Sequence, residues 1–301
     1  MAKKQHILAS LRKAEQNIFV PSGLARGFLK SFLKSEYFIR YGVNHFNGTV
    51  GQQRVGAQDI KDCLIPVPSV EEQVRIVAKL EDAFAEIDRA EKAYEELQTL
   101  AGVLRGQILQ EAIQGKLVPQ LAEEGVVEQI GAAPEEVPFE IPESWKWMQF
   151  KRTCSSLDGK RIPLKKDDRA KREKRYPYYG ATGVIDFVDD YIFDGVFLLI
   201  GEDGANLLSR SKDNAFIASG KIWVNNHAHV FEENGVADLR YLALMINATS
   251  LNPYVTGSAQ PKLTQKNLYS IPVPIPPVKE QVRIVAKVEE LLTQVAALST
   301  R

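Results

Sequence analysis

The sequence predicts an α+β protein in which a mixed, strand-rich domain is joined to long, coiled-coil-like helices. Three observations predict it. The eight residues EQVRIVAK occur twice, at Glu72–Lys79 and Glu280–Lys287, at a constant offset of 208 residues. An apolar stripe of helical period runs through and beyond each copy. Between the copies, from Ser144 onward, short runs such as GVIDFV, FLLIG and IWVN are rich in β-branched and aromatic residues and are cut by Gly, Asp and Asn.

The first helix is expected from Val70 to near Gln114, with apolar residues at Val77, Leu80, Phe84, Ile87, Tyr94, Leu97, Ala101, Leu104 and Ile108. At a rise of 1.5 Å per residue it would be on the order of 65 Å long. The second repeats the stripe with Val282, Val285, Val288, Leu292 and Val295. So narrow a seam cannot bury itself, so the two helices are expected to pack on each other or on copies in another chain.

The repeat also extends upstream. Gln52 aligns with Gln260, Arg54 with Lys262, Ile60 with Leu268, Pro66 with Pro274 and Pro68 with Pro276. Each copy reads as a polar loop, an apolar strand-like segment, a proline-punctuated stop and a helix, and proline is tolerated at a helix entry. Residues 1–48 contain nothing like SWKW, YPYYGATG or GEDGAN, so the first copy is expected to lack the front half of the second. A weak helical pattern at Ile7, Leu11, Ala14 and Ile18 could complete the shorter helix.

The 38 basic and 38 acidic residues cancel, so bulk charge names no partner. Local charge says more. Lys151–Arg175 holds eleven Lys/Arg against four Asp/Glu, whereas Pro119–Glu143 holds seven Glu and no base. Cys63 and Cys154 form no CxxC, and no stretch has the apolar length of a signal peptide or membrane span, so a cytoplasmic protein is expected.

Binding a nucleic-acid duplex needs cations against phosphate and shaped polar groups at base edges. Lys160, Arg161, Lys165, Lys166, Arg169, Lys171, Arg172, Lys174 and Arg175 supply the first, and Tyr176, Tyr178 and Tyr179 follow them. A solvated charged loop is the plainer reading of the same run. Asn225 and Asn226 could approach bases or brace the domain; His227 and His229 lack the third ligand a zinc site needs. Gln260 with Lys262 could clamp a phosphate or brace a loop. Asp203 and Asn206, in the glycine-containing GEDGAN stretch, are expected to fix loop backbone. Leu251–Tyr254 (LNPY) falls one proline short of an amino-methyltransferase motif, and no glycine-rich S-adenosylmethionine loop precedes it.

Several ordered stretches resemble the DNA sequence-specificity (S) subunits of Type I restriction-modification systems. They are QILQEAIQGKLVPQ (Gln107–Gln120), IPESWKW (Ile141–Trp147), the run Tyr176–Leu207, GKIWVNNHAHVF (Gly220–Phe231) and Gly257–Val285. The resemblance implies target-recognition domains held apart by antiparallel conserved helices. Residues 1–69 would be the C-terminal remnant of a first recognition domain and 70–118 the central helix. Residues 119–143 would be an acidic linker, 144–277 the second recognition domain and 278–301 the second, short helix. It further implies a non-catalytic subunit that binds double-stranded DNA and docks methyltransferase (modification) subunits, with an ATP-driven restriction subunit joining. S-adenosylmethionine, ATP and Mg would sit on those partners. A half-size subunit that rebuilds the pair as a homodimer, a split-gene product, and a remnant that assembles without directing methylation are the alternatives.

Overall fold

Trp147 and Pro274 face each other across an antiparallel strand pair that closes the strand-rich domain on itself. Here β3 (Lys146–Gln149) pairs with β10 (Pro272–Ile275), Lys146 opposite Ile275 and Gln149 opposite Pro272. The computed structural model describes residues 20, 22–47, 54–257 and 259–299. The chain divides into two compact units, Met1–Glu95 and Glu96–Arg301. The weak helical pattern of residues 1–18 lies outside the described residues, as does Gln52.

The smaller unit holds α1 (Arg26–Lys34), α2 (Glu36–Asn44), the short pair β1 (Phe46–Asn47) and β2 (Arg54–Val55), α3 (Ala57–Asp62) and the start of α4 (Val70–Ile113). Phe28 and Leu29 of α1 and Phe38 and Ile39 of α2 are buried. Ser35 separates the two helices because its Oγ accepts from Phe38 N at 3.2 Å, capping α2.

In the larger unit β3 is followed by β4 (Ser155–Ser156), α5 (Lys166–Ala170), β5 (Tyr176–Gly180), β6 (Gly183–Val188), β7 (Phe193–Gly201), α6 (Asn206–Ser209), β8 (Ala215–Val224) and β9 (Ala228–Glu232). Then come α7 (Leu239–Ala248), α8 (Gln265–Ser270), β10 and α9 (Val278–Ser299). Six strands form one sheet in the order β4-β9-β7-β8-β5-β6, antiparallel except between β5 and β8. The β7–β8 pair bends where Gly195 opposes Gly220, with φ of 152° and 82°, a conformation side-chain-bearing residues avoid. Past the bend the sheet curls so far that Tyr179 of β5 pairs with Val224 at the end of β8 and stacks on Phe216 near its start, ring centroids 6.0 Å apart.

Strand alternation then serves two cores. Leu198 and Ile200 point to a layer with Phe150, Phe231, Tyr241, Met245 and Ile284, whereas Phe197 and Leu199 point into the curl with Phe193, Ile222 and Val230. The first core also takes Ile108 and Ile113 from the end of α4 and Val285, Val288 and Val295 from α9, alongside Tyr241, Leu242 and Met245 of α7. Of these, Ile108, Val285, Val288 and Val295 were expected in a helix-on-helix seam, and they share one core with the sheet of the strand-rich domain. Leu292 is partly buried beside them, whereas Val282 is 55% exposed and leaves that face. On α4, Val77, Leu80 and Leu97 are partly buried, and Phe84, Ile87 and Leu104 are exposed.

The acidic stretch expected as a linker is strapped to the larger unit. Arg283 clamps Glu124 through two hydrogen bonds of 2.8 and 2.6 Å, Val127 N donates to Ser144 O at 2.9 Å, and Phe139 packs on Trp147. Its glutamates are therefore partly used to hold α9.

The repeated glutamine performs one task in both copies. Gln73 Nε2 donates to Pro68 O and Gly23 O, both at 2.9 Å, and its Oε1 accepts from Ala25 N, the N-cap of α1, at 2.6 Å. Gln281 Nε2 donates to Pro276 O at 2.8 Å, and its Oε1 accepts from Asp238 N, the N-cap of α7, at 2.7 Å. The duplication thus reaches upstream of Thr49, to α1 as the counterpart of α7, where the sequence shows no clear match.

Candidate nucleic-acid interface

The basic segment Lys160–Arg175 lies across β5, β6 and the end of β8, and most of its arginines are consumed in holding it there. Arg161 pairs with Glu202 at 2.7 Å and Asp158 at 3.4 Å and donates to Ala228 O at 2.8 Å. Arg169 pairs with Asp186 at 3.0 Å and lies 4.7 Å from the centre of the Tyr178 ring. Arg172 pairs with Asp189 at 2.8 Å and covers Trp223, and Lys174 pairs with Asp186 at 2.8 Å. The Lys174 ammonium, the Phe187 amide and the Arg169 guanidinium together lower the Asp186 pKa to about 2. These four cations were expected at phosphate, and the structure assigns them to acids of their own domain.

Two further expected contacts are removed by burial. Tyr178 is 1% exposed and its hydroxyl accepts from Leu164 N. Asn225 is buried, its Oδ1 accepting from His227 N while its own N donates to Tyr179 O. Both brace the domain. Tyr179 is partly buried on Phe216.

Beneath the rim lies a charge cluster that only Arg161 and Lys262 among the expected residues foreshadowed. His229 is 1% exposed; its Nδ1 is 2.6 Å from Asp158 Oδ2 and its Nε2 is 2.9 Å from Leu263 O. Burial alone would raise Asp158, but the His229 hydrogen bond and charge, the Val230 amide and Arg161 outweigh it and hold the carboxyl below its ordinary value. Glu202 is likewise raised by burial and lowered further by Arg161, His229 and Lys262. Lys262 Nζ is 3.2 Å from Glu202 Oε1. His227 turns the other way, its Nδ1 2.8 Å from Asp203 Oδ2, so the two histidines do not converge. Among the described residues no His, Cys, Asp and Glu group could hold a metal ion.

This cluster fastens loops from distant parts of the chain. Glu202 N donates to His227 O, Leu263 N to Glu202 O and Gly204 N to Pro261 O. Gly201 lies so close to Ala181 O that a Cβ there would sit at 2.8 Å. Asn206 does fix its loop: its Nδ2 donates to Lys212 O at 3.0 Å and its Oδ1 accepts from Lys212 N at 3.0 Å. Left exposed around this scaffold are Lys160, Lys165, Lys166, Lys171, Asn226 and Gln260, and the four lysines have no ion pair among the described residues. Arg175 is exposed too, paired with Glu173 at 2.7 Å. Arg54 enters as backbone of β2.

Sequence reasoning missed Asp158 and Glu202, because acids inside a basic run or a glycine-containing turn carry no spacing signal. It also missed a second cationic-aromatic group, in which Lys221 Nζ sits 4.7 Å from the Tyr191 ring centre and Tyr191 meets Tyr176 edge-on at 5.2 Å.

Residues 142–301, more than half of the chain, match the family described as Type I restriction modification DNA specificity domain. The chain is 35% identical over 150 residues to the putative type I restriction enzyme specificity subunit S.HindORF215P of Haemophilus influenzae, covering 49% of this chain and 37% of that protein. It is 24% identical over 251 residues to the type I restriction enzyme EcoDI specificity subunit of Escherichia coli, covering 77% and 56%. In fold it is similar to the HsdS subunit from Thermoanaerobacter tengcongensis (TM-score 0.57, 18% identity, 91% of this chain and 64% of that one). It is also similar to a chain from a structure on complex assembly and conformational transition of the type I R-M system (TM-score 0.65, 18% identity, 90% and 64%). The chain therefore spans 37% to 64% of the length of these relatives. By the match over its strand-rich domain and α9, this chain belongs to the Type I restriction-modification DNA specificity domain family.

Proposed function

We propose that the chain is a non-catalytic DNA-recognition subunit of a Type I restriction-modification complex. The 144–277 domain reads a half-site of double-stranded DNA. The exposed faces of α4 and α9 dock methyltransferase subunits, which carry S-adenosylmethionine, while ATP and Mg belong to a restriction subunit. The observation that carries this reading is the division of labour in the basic segment. Arg161, Arg169, Arg172 and Lys174 are neutralised by their own domain, leaving Lys160, Lys165, Lys166 and Lys171 exposed and without an ion pair among the described residues. Asn226 and Gln260 add exposed amides of the type that pairs with adenine.

The test is DNA binding by the chain assembled with a modification subunit, measured against salt. Lys165→Glu, Lys166→Glu and Lys171→Glu together are expected to weaken binding more than about tenfold and to flatten the salt dependence, since each lost phosphate contact removes about 0.9 from the log–log slope. Assembly and folding stay intact. Unchanged affinity would leave an assembly module that does not contact DNA through this segment.

A further inference from the structure

The two copies of the repeat differ in what covers them, and the difference specifies a partner. In the second copy Leu268, Val273 and Ile275 are at most 1% exposed, because β3 pairs with β10 and brings Trp145, Met148 and Phe150 over them. Their counterparts in the first copy, at the same offset of 208, are Ile60, Ile65 and Val67. Val67 is 58% exposed, and Leu64, at the place of Pro272, is 80% exposed. Leu64–Val67 lies outside helix and strand, and Leu64, Ile65 and Val67 make no backbone hydrogen bond among the described residues. An apolar, unpaired backbone edge of this kind is a template for a strand.

A second residue agrees. Trp145 Nε1 donates to Glu280 Oε2 at 3.0 Å, so the residue just before β3 is anchored to the first turn of α9. The counterpart of Glu280 is Glu72, in the first turn of α4, and it is exposed. The first copy thus keeps both the edge and the carboxylate, while β3, the strand among the described residues that fits them, is already on β10.

We propose that Leu64–Val67 together with Glu72 is a docking edge for a separate polypeptide that supplies a strand of the Ser-Trp-Lys-Trp-Met-Gln kind. The incoming strand runs antiparallel in the register of β3 on β10. Its first tryptophan reaches Glu72, and its Gln, Met, second Trp and Lys stand opposite Leu64, Ile65, Pro66 and Val67. Four residues of main-chain pairing give the affinity, and the tryptophan gives the selectivity. Such a partner would carry the sheet that the smaller unit does not show among its described residues.

The probe is a fluorescein-labelled peptide of this protein's own Ile141–Phe150 sequence, titrated against the full chain and read by anisotropy. One-to-one binding is expected, weakened more than about tenfold by Leu64→Lys or Val67→Lys and severalfold by Glu72→Gln. A peptide with alanine in place of its first tryptophan should also bind worse. The substituted side chains are exposed, so circular dichroism should report unchanged folding. No binding up to about 1 mM, the weak limit for a specific site, would overturn the proposal. So would binding indifferent to the edge substitutions, or self-association of the chain that Leu64→Lys abolishes. None of these outcomes depends on DNA recognition by the 144–277 domain.

Discussion

Residues 23–79 and 236–287 contain two versions of one device, and their difference separates what the repeat encodes from what it leaves to context. Both versions tie a helix N-cap to the start of a conserved helix through a buried glutamine, Gln73 or Gln281. In the second version the neighbouring strand is buried under β3; in the first it is bare. The sequence near the glutamine repeats because the same proline stop and helix start surround it in both copies, although the N-cap it ties lies 48 or 43 residues upstream. What lies over the strand comes from elsewhere, so no local pattern records it.

The largest expected contrast follows from that difference. Ile275→Lys places an unpaired charge in the core beneath β3 and is expected to cost about 4 kcal/mol or more, enough to unfold the larger unit. Val67→Lys at the matching position should change stability by no more than about 0.5 kcal/mol. Urea denaturation of each variant decides. A large loss from Val67→Lys would mean that the first copy is also covered.

How far the sequence was legible follows the same divide. The helices and the strand-rich character of the larger unit could be read from periodicity, prolines and the repeat, since each is written in neighbouring residues. The equivalence of α1 with α7 could not, because Leu29 and Leu242 fill their cores with little other identity around them, and backbone hydrogen bonding to the glutamine carries the match. Composition pointed to the basic segment but not to which of its side chains the domain itself ties down. Whether a lysine or arginine is free depends on Asp186, Asp189 and Glu202, which reach it through the fold. Tyr178 shows the same limit, since a tyrosine beside a basic run reads as exposed until the segment before it closes over the ring.

A smaller effect tests whether the two staples are equal in energy as well as in geometry. Gln281→Leu leaves Asp238 N and Pro276 O without their partner, and Gln73→Leu does the same to Ala25 N and Pro68 O. Each should cost about 2 kcal/mol, the scale of unsatisfied buried backbone groups. Tryptophan fluorescence would follow the first, because all three tryptophans lie in the larger unit. Amide exchange at α1 would follow the second. A neutral Gln73→Leu beside a costly Gln281→Leu would reduce the equivalence to shared sequence.

The smallest effect lies in the residue before each staple. Burial raises the Glu280 pKa above its ordinary 4.5, Glu124 adds to the rise, and the hydrogen bonds involving Trp145 and Gln120 and the charge of Arg283 oppose it without cancelling it. Its Oε1 has no hydrogen-bond partner among the described residues. A carboxyl held protonated by the fold loses its proton first in the unfolded chain. Glu280 therefore subtracts stability as pH rises through 4.5, and the loss stops once the folded value is passed. Glu280→Gln should flatten that part of the stability curve, because a neutral amide keeps the polar contact with Trp145 and has no proton to lose. Glu72→Gln, at the exposed matching position, is the comparison. Urea midpoints from pH 4 to pH 8 for the two variants would show whether the paired glutamates differ as their surroundings do; equal slopes would mean that Trp145 does not isolate Glu280 from solvent.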